Sequence, residues 1–277
     1  MKRYAEGDKT MDVSVKTVTT DSFSMDYCRF GRGKGTLAVL PGISVQSVMP
    51  LADALAEAFK AMTDDYTVYV FDRRKDPLPA KYTVQDMADD TAEAMQALGL
   101  ENVDIFGASQ GGMMALIMAA EHPELVRKIA LGSSCASISD EDFRIFDDLI
   151  ALAKAGKREE LYLAFGKMIY PEDVFEASKE ALVAAAATVT DDELARFIIM
   201  SEGMRGFDCT DDLGRITCPV LVTGSWTDTV FGGEAAEKIA EGLKNSADCR
   251  LHIYDAYGHA VYDLAPDYRE RMLEFLK

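Results

Sequence analysis

The sequence predicts an α/β fold: a mostly parallel central sheet with helices on both faces and a block of helices inserted into it. Three observations carry this. Short apolar runs of strand length alternate with helical patterns from Thr36 to Leu131, as a doubly wound sheet requires. The alternation stops near Ser139, and only helical patterns appear as far as Met204. It resumes at Cys218 and continues to the end of the chain.

Each element has its own signal. Val13 to Phe30 holds two alternating stretches, Val-Ser-Val-Lys-Thr-Val and Ser-Phe-Ser-Met-Asp-Tyr-Cys-Arg-Phe, which read as half-exposed antiparallel strands at a sheet edge. After the turn Gly31 to Gly35, Thr36 to Leu40 is a buried strand that breaks at Pro41-Gly42-Ile43-Ser44, and a helix follows from about Met49 to Ala61. Thr67 to Phe71 is the next strand, leading into a loop that begins Asp72-Arg73-Arg74-Lys75. A helix from about Val84 to Leu98 ends at Gly99, and the apolar run to Phe106 is another buried strand. Gly111 opens a helix that is apolar almost all round, and Lys128 to Leu131 is the last strand before the insertion.

Within the insertion the helical stretches are Phe143 to Ala155, Glu159 to Ile169, Val174 to Val189 and Asp191 to Met204, broken at Gly156 and Pro171. The strand Cys218 to Gly224, a helix at about Glu234 to Leu243, the strand Arg250 to Tyr254 and a helix Asp267 to Leu276 complete the pattern. The expected division is a core of residues 1–136 and 213–277 with a helical unit of residues 137–212.

Composition narrows the function. A chain of 277 residues with 48% hydrophobic content can bury one large core. Its net charge of −18 repels polyanions, so nucleic acid is not an expected partner. Five scattered cysteines with no Cys-x-x-Cys spacing suggest neither a disulfide framework nor a zinc site. Met1 to Thr10 lacks the apolar core of a signal peptide, and no apolar run is long enough to span a bilayer. The expectation is a cytoplasmic protein that does not enter membranes.

The informative stretch is Gly107-Ala108-Ser109-Gln110-Gly111, set between a strand and a helix. A serine on so sharp a turn is held in strained backbone geometry, and the positions two before and two after it must be small. The strain lifts the hydroxyl out of the sheet, and the helix N-terminus behind it offers unpaired N–H groups to a developing negative charge. This is the nucleophile-elbow pattern, and at these residues the sequence resembles the α/β-hydrolase family.

A serine nucleophile needs a base and an acid that orients it. Of three histidines, His252 falls inside a strand and His122 at the far end of the elbow helix. His259 lies in a loop directly after the last strand, and such loops converge on the crevice of an open parallel sheet. Asp228, a few residues past the strand that ends at Gly224, is the candidate acid; Asp255 and Asp263 are weaker candidates. The order Ser109, Asp228, His259 matches the order in the family.

The residue after the nucleophile, Gln110, should supply one oxyanion N–H. The resemblance implies that the second comes from Ile43, in the loop after Thr36 to Leu40. Proline at position 41 stands where the family commonly has histidine, which leaves the backbone donor intact but removes a side-chain support for the loop. Asp72-Arg-Arg-Lys replaces the common Asp-x-Arg-Gly; its retained charges read as loop-bracing residues paired with a carboxylate. Trp226, Phe231, Met204 and Phe207 flank the expected site as candidates for an apolar pocket or, equally, for core. Cys135 is a rival nucleophile without a partner and reads as a buried thiol.

The resemblance implies that the insertion caps the active site. It also implies a serine hydrolase that acts through an acyl-enzyme on a small or medium apolar ester, with no metal or organic cofactor. The alternatives are hydrolysis of an amide, a thioester or a carbon–carbon bond, or a hydrolase-fold ligand-binding protein with little turnover. A serine at this position argues against haloalkane dehalogenation, for which the family uses aspartate.

Overall fold

The computed structural model describes residues 12–277. The segment Met1 to Thr10, considered above for a targeting signal, lies outside them. Among the described residues the strands form one eight-stranded sheet in the order β1-β2-β4-β3-β5-β6-β7-β8. They are β1 (Ser14–Thr19), β2 (Ser24–Gly31), β3 (Gly35–Leu40), β4 (Tyr66–Arg74), β5 (Val103–Ala108), β6 (Val126–Gly132), β7 (Val220–Ser225) and β8 (Cys249–Tyr254). From β4 to β8 all neighbours are parallel, while β1 and β2 form the expected antiparallel edge.

Helices cover both faces. On one side α1 (Ala52–Ala58) and the C-terminal α10 (Tyr268–Leu276) bury Ala56, Met272 and Phe275 against β3, β4 and β5. On the other, α2 (Val84–Ala97), α3 (Gln110–Glu121) and α8 (Gly233–Gly242) pack in a second apolar cluster. The short α9 (Val261–Leu264) precedes α10. Helix α3 is buried along almost its whole length, which explains its lack of a polar face. Among the described residues, no helix is long and apolar enough to cross a membrane.

Between β6 and β7 lie α4 (Arg144–Lys154), α5 (Arg158–Ile169), α6 (Glu172–Ala186) and α7 (Asp191–Glu202). The chain enters and leaves this segment side by side, joined by an isolated antiparallel bridge between Ser137 and Asp208. Backbone bonds from Cys209 N to Ala136 O and from Ile138 N to Phe207 O, both 2.8 Å, close the junction. Thr190 caps α7 through a reciprocal pair with Glu193.

Two sequence expectations need correction. The strand expected at Thr67 to Phe71 runs on through Arg74, because β2 continues alongside it and pairs Met25 with Arg74. Asp72 and Arg73 are therefore strand residues, not loop. The single helix expected from Met49 to Ala61 is a 3-10 turn, a short α-helix and a second 3-10 turn, since Pro50 and the Phe59 junction interrupt the regular hydrogen bonding.

The close packing of α3 on the sheet depends on missing side chains. A Cβ on Gly111 would lie 1.9 Å from Leu40 O and 2.7 Å from Pro41 O, so the helix could stay only by moving. Gly111→Ala should cost about 3 kcal/mol or more, the upper range for overpacking. Gly214→Ala, where a Cβ meets nothing within 4 Å, should shift stability far less. Urea unfolding of the two variants checks this; equal midpoints would show that the packing at Gly111 is not limiting.

Candidate active site

Ser109 sits between β5 and α3 at φ 52° and ψ −120°, a conformation that side chains rarely adopt. The surroundings over-determine it. Ser109 N donates to Gly132 O at 2.8 Å, Ser134 Oγ donates to Ser109 O at 2.9 Å, and Gly112 N donates to the same carbonyl at 2.8 Å. A Cβ on Gly107 would stand 2.5 Å from Gly111 O, which is why both glycine positions of the motif are needed. The loop after β3 closes directly over the serine, since a Cβ on Gly42 would lie 3.2 Å from Ser109 Cβ.

The loops after β7 and β8 meet at the carboxyl end of the sheet. Trp226 N donates to Tyr254 O at 2.9 Å, Ser225 Oγ to Ala256 O at 2.8 Å, and Gly258 N to Thr227 Oγ1 at 3.1 Å. This stitching brings Asp228 Oδ2 to 2.9 Å from His259 Nδ1, with both side chains buried. A carboxylate only accepts, so Nδ1 carries the proton and Nε2 is left as the basic nitrogen. Asp228 Oδ1 is occupied by Val230 N at 2.8 Å, which fixes the carboxylate. The ring of Phe231 stands edge-on to His259 at 5.5 Å.

Ser109 and His259 line one cavity of about 290 Å³. Among the described residues no hydrogen bond joins Ser109 Oγ to His259 Nε2, an arrangement common before substrate tightens such contacts. The N–H groups of Ile43 and Gln110 likewise have no protein acceptor among the described residues.

The cavity wall differs from the residues singled out in the sequence. Phe146 of α4 and Phe165 and Met168 of α5 contribute from the inserted helices, with Phe106, Val230 and Tyr262 from the core. Trp226 is 46% exposed and packs on Gly233, Met204 is fully buried in the core, and Phe207 faces a separate cavity beside α3. Phe231 is not part of the cavity wall; its ring meets the imidazole and Phe146, and its N–H reaches Asp228 Oδ1 at 3.4 Å. The lining aromatics carry no linear signal, because their position follows from how the inserted helices fold back. His252 lies within β8 against Tyr254, and His122 ends α3, both apart from this cavity.

The expected carboxylate pairing of the Asp72-Arg-Arg stretch falls to one arginine. Arg74 makes a two-pronged pair with Asp90 at 2.6 and 2.8 Å, and Tyr82 Oη adds a third bond to that carboxylate at 2.6 Å. Arg73 instead turns inward, 6% exposed, and donates to Pro41 O at 2.9 Å and Gln110 Oε1 at 3.0 Å. Burial pushes its guanidinium pKa below the ordinary value. The support that proline cannot give the loop thus comes from beneath it.

The model of the alpha/beta hydrolase fold family matches residues 39–266. The chain belongs to this family. It is 28% identical to a protein of Agrobacterium fabrum named putative carbamate hydrolase RutD, over 82% of this chain and 87% of that one. It is 25% identical to the human serine hydrolase BPHL, over 96% of this chain and 87% of that one. Among solved structures, MGS-M2, an α/β-hydrolase enzyme from a deep-sea metagenome library of the Medee basin, superposes with a TM-score of 0.81 at 22% identity, covering 94% and 97% of the two chains. The enol-lactonase of Burkholderia xenovorans LB400 superposes with a TM-score of 0.79 at 18% identity, covering 94% and 99%. The hydrolase is therefore an enzyme of this fold.

Cys135, the rival nucleophile, is buried, and desolvation holds its thiol well above the ordinary range. Iodoacetamide at pH 8 is expected to modify the exposed Cys249 first and leave activity intact. Inactivation in step with modification of Cys135, followed by peptide mapping, would reverse the assignment.

Proposed function

We propose that the enzyme is a serine hydrolase that cleaves small or medium carboxylic esters through an acyl-enzyme. Ser109 is the nucleophile, His259 the general base and acid, and Asp228 the residue that orients the imidazole. The observation that supports this best is the pairing of a strained serine at a helix N-terminus with an imidazole whose Nδ1 is held by a buried carboxylate, both on one cavity.

In this reading Ser109 Oγ attacks the ester carbonyl while His259 Nε2 takes its proton. The N–H groups of Gln110 and Ile43 hold the oxyanion. Collapse expels the alcohol, which receives its proton from His259. Water then attacks the acyl-enzyme with His259 again as base, and the acid leaves as Ser109 regains its proton. Residues 137–212, with α4 to α7, act as a cap on the core formed by the rest; the adjacent entry and exit of the chain and their contribution to the cavity wall support this. The largely apolar lining, in which the charged Asp263 and Arg269 pair with each other, favours an uncharged substrate. Five free cysteines are in keeping with a cytoplasmic setting.

A carbamate is a second reading, favoured by the relatives that carry that name. It uses the same groups, with the carbamoyl carbonyl in place of the acyl carbonyl.

The test is turnover of p-nitrophenyl esters of increasing acyl length beside a p-nitrophenyl carbamate, on wild type and Ser109→Ala. The expected result is ester turnover with an optimum chain length, reduced in Ser109→Ala by on the order of 10⁵-fold or more. Asp228→Asn should lose roughly 10⁴-fold through the wrong imidazole tautomer. Turnover of the carbamate alone would select the second reading, and undiminished turnover in Ser109→Ala would remove the nucleophile.

A further inference from the structure

Arg73 is a buried cation without a bonded carboxylate, placed where a neutral donor would be cheaper to desolvate. Its two acceptors belong to the two segments that carry the unpaired N–H groups over the serine. Pro41 O is two residues before Ile43, and Gln110 Oε1 belongs to the residue whose own N–H faces the site. One guanidinium nitrogen, Nη2, thus donates to both halves of the oxyanion site from behind.

The bridge continues outward. Gln110 Nε2 donates to Met200 O of α7 at 3.2 Å, so the same amide that receives Arg73 holds the last turn of α7. The loop after β3 is tied to that segment independently, since Tyr162 Oη donates to Gln46 Oε1 at 2.7 Å and Gln46 Nε2 donates to Glu193 at 3.4 Å. Behind the loop, Arg73, Gln110, Glu193 and Met200 border a cavity of about 100 Å³, distinct from the one lined by Ser109. Nothing else seen in the wall of that cavity donates to both segments.

We propose that Arg73 is a positioning residue that sets the spacing of the Ile43 and Gln110 N–H donors, and that Gln110 links this spacing to the seating of α7. The proposal rests on the serine-hydrolase reading above. Its physical basis is that an oxyanion donor acts only when aimed within a few tenths of an ångström, and a loop without its family histidine needs an external brace. Arg73 touches neither nucleophile nor base, so its loss should slow the covalent step and leave ground-state binding unchanged.

The experiment measures inactivation by an alkyl fluorophosphonate, whose phosphoryl oxygen occupies the oxyanion site, on wild type, Arg73→Met, Arg73→Lys and Gln110→Leu. Each rate is referred to the folded fraction from circular dichroism. The maximal inactivation rate is expected to fall about 100-fold in Arg73→Met, while the half-saturating concentration changes less than threefold. Arg73→Lys, whose ammonium has a shorter reach to the two acceptors that one guanidinium nitrogen holds, should fall about tenfold and remains informative if the Met variant does not fold. Gln110→Leu should fall about tenfold and add little in the Arg73→Met background, because both act on one linkage. Free guanidinium should restore part of the rate to Arg73→Gly. Wild-type rates in both Arg73→Met and Arg73→Lys would overturn the proposal while leaving the serine-hydrolase reading in place. Failure of wild type itself to react, or equal reaction of Ser109→Ala, would instead bring down that reading and this proposal with it.

Discussion

The structure depends on one strained residue. Ser109 must leave β5 and enter α3 with a backbone that costs about 1–3 kcal/mol, and that cost is met only by packing from several directions. Gly107 and Gly111 let strand and helix touch, Ser134 and Gly132 hold the serine's backbone, and the loop at Gly42 lies on top. The buried α3 exists to pin this turn, which is why it has no polar face. Because helix, strand and loop are in backbone contact, a displacement of any one is felt at the serine hydroxyl.

Around this point the sheet gathers charges that would be expensive anywhere else in the interior. Asp228 is tolerable because backbone N–H and imidazole satisfy both of its oxygens. Arg73 is tolerable because two carbonyl-type oxygens accept from it, and Asp72 one residue away offsets its charge. These buried polar groups all lie at the carboxyl ends of β3, β4, β7 and β8, where loops can bring donors and acceptors together. The inserted helices supply part of the apolar remainder, with Phe146, Phe165 and Met168 in the wall of the cavity.

Much of this was legible in the sequence, and the exceptions share a cause. The parallel strands and the four inserted helices could be placed because burial on both faces gives continuous apolar runs and one-sided burial gives helical periodicity. Ser109, Asp228 and His259 could be singled out because sheet topology, and not side-chain packing, decides where loops after strands converge. Trp226, Met204 and Phe207 were plausible on position alone, yet only three-dimensional packing decides whether an apolar residue faces a cavity or the core. The course of Asp72 and Arg73 was hidden for a similar reason: a run of four charges, Asp72 to Lys75, looks like a loop, and only the pairing of β2 with β4 shows Asp72 and Arg73 to be strand residues, one of them turned inward.

The most direct single measurement is the crystal structure of the enzyme after reaction with a fluorophosphonate. The expected result is a phosphonyl group on Ser109 Oγ with its oxygen about 2.7–3.1 Å from both the Ile43 and Gln110 nitrogens, and His259 Nε2 turned toward the ester oxygen. An adduct on another residue, or a phosphoryl oxygen pointing into the cavity away from those two N–H groups, would contradict the assignment of this turn as the catalytic centre.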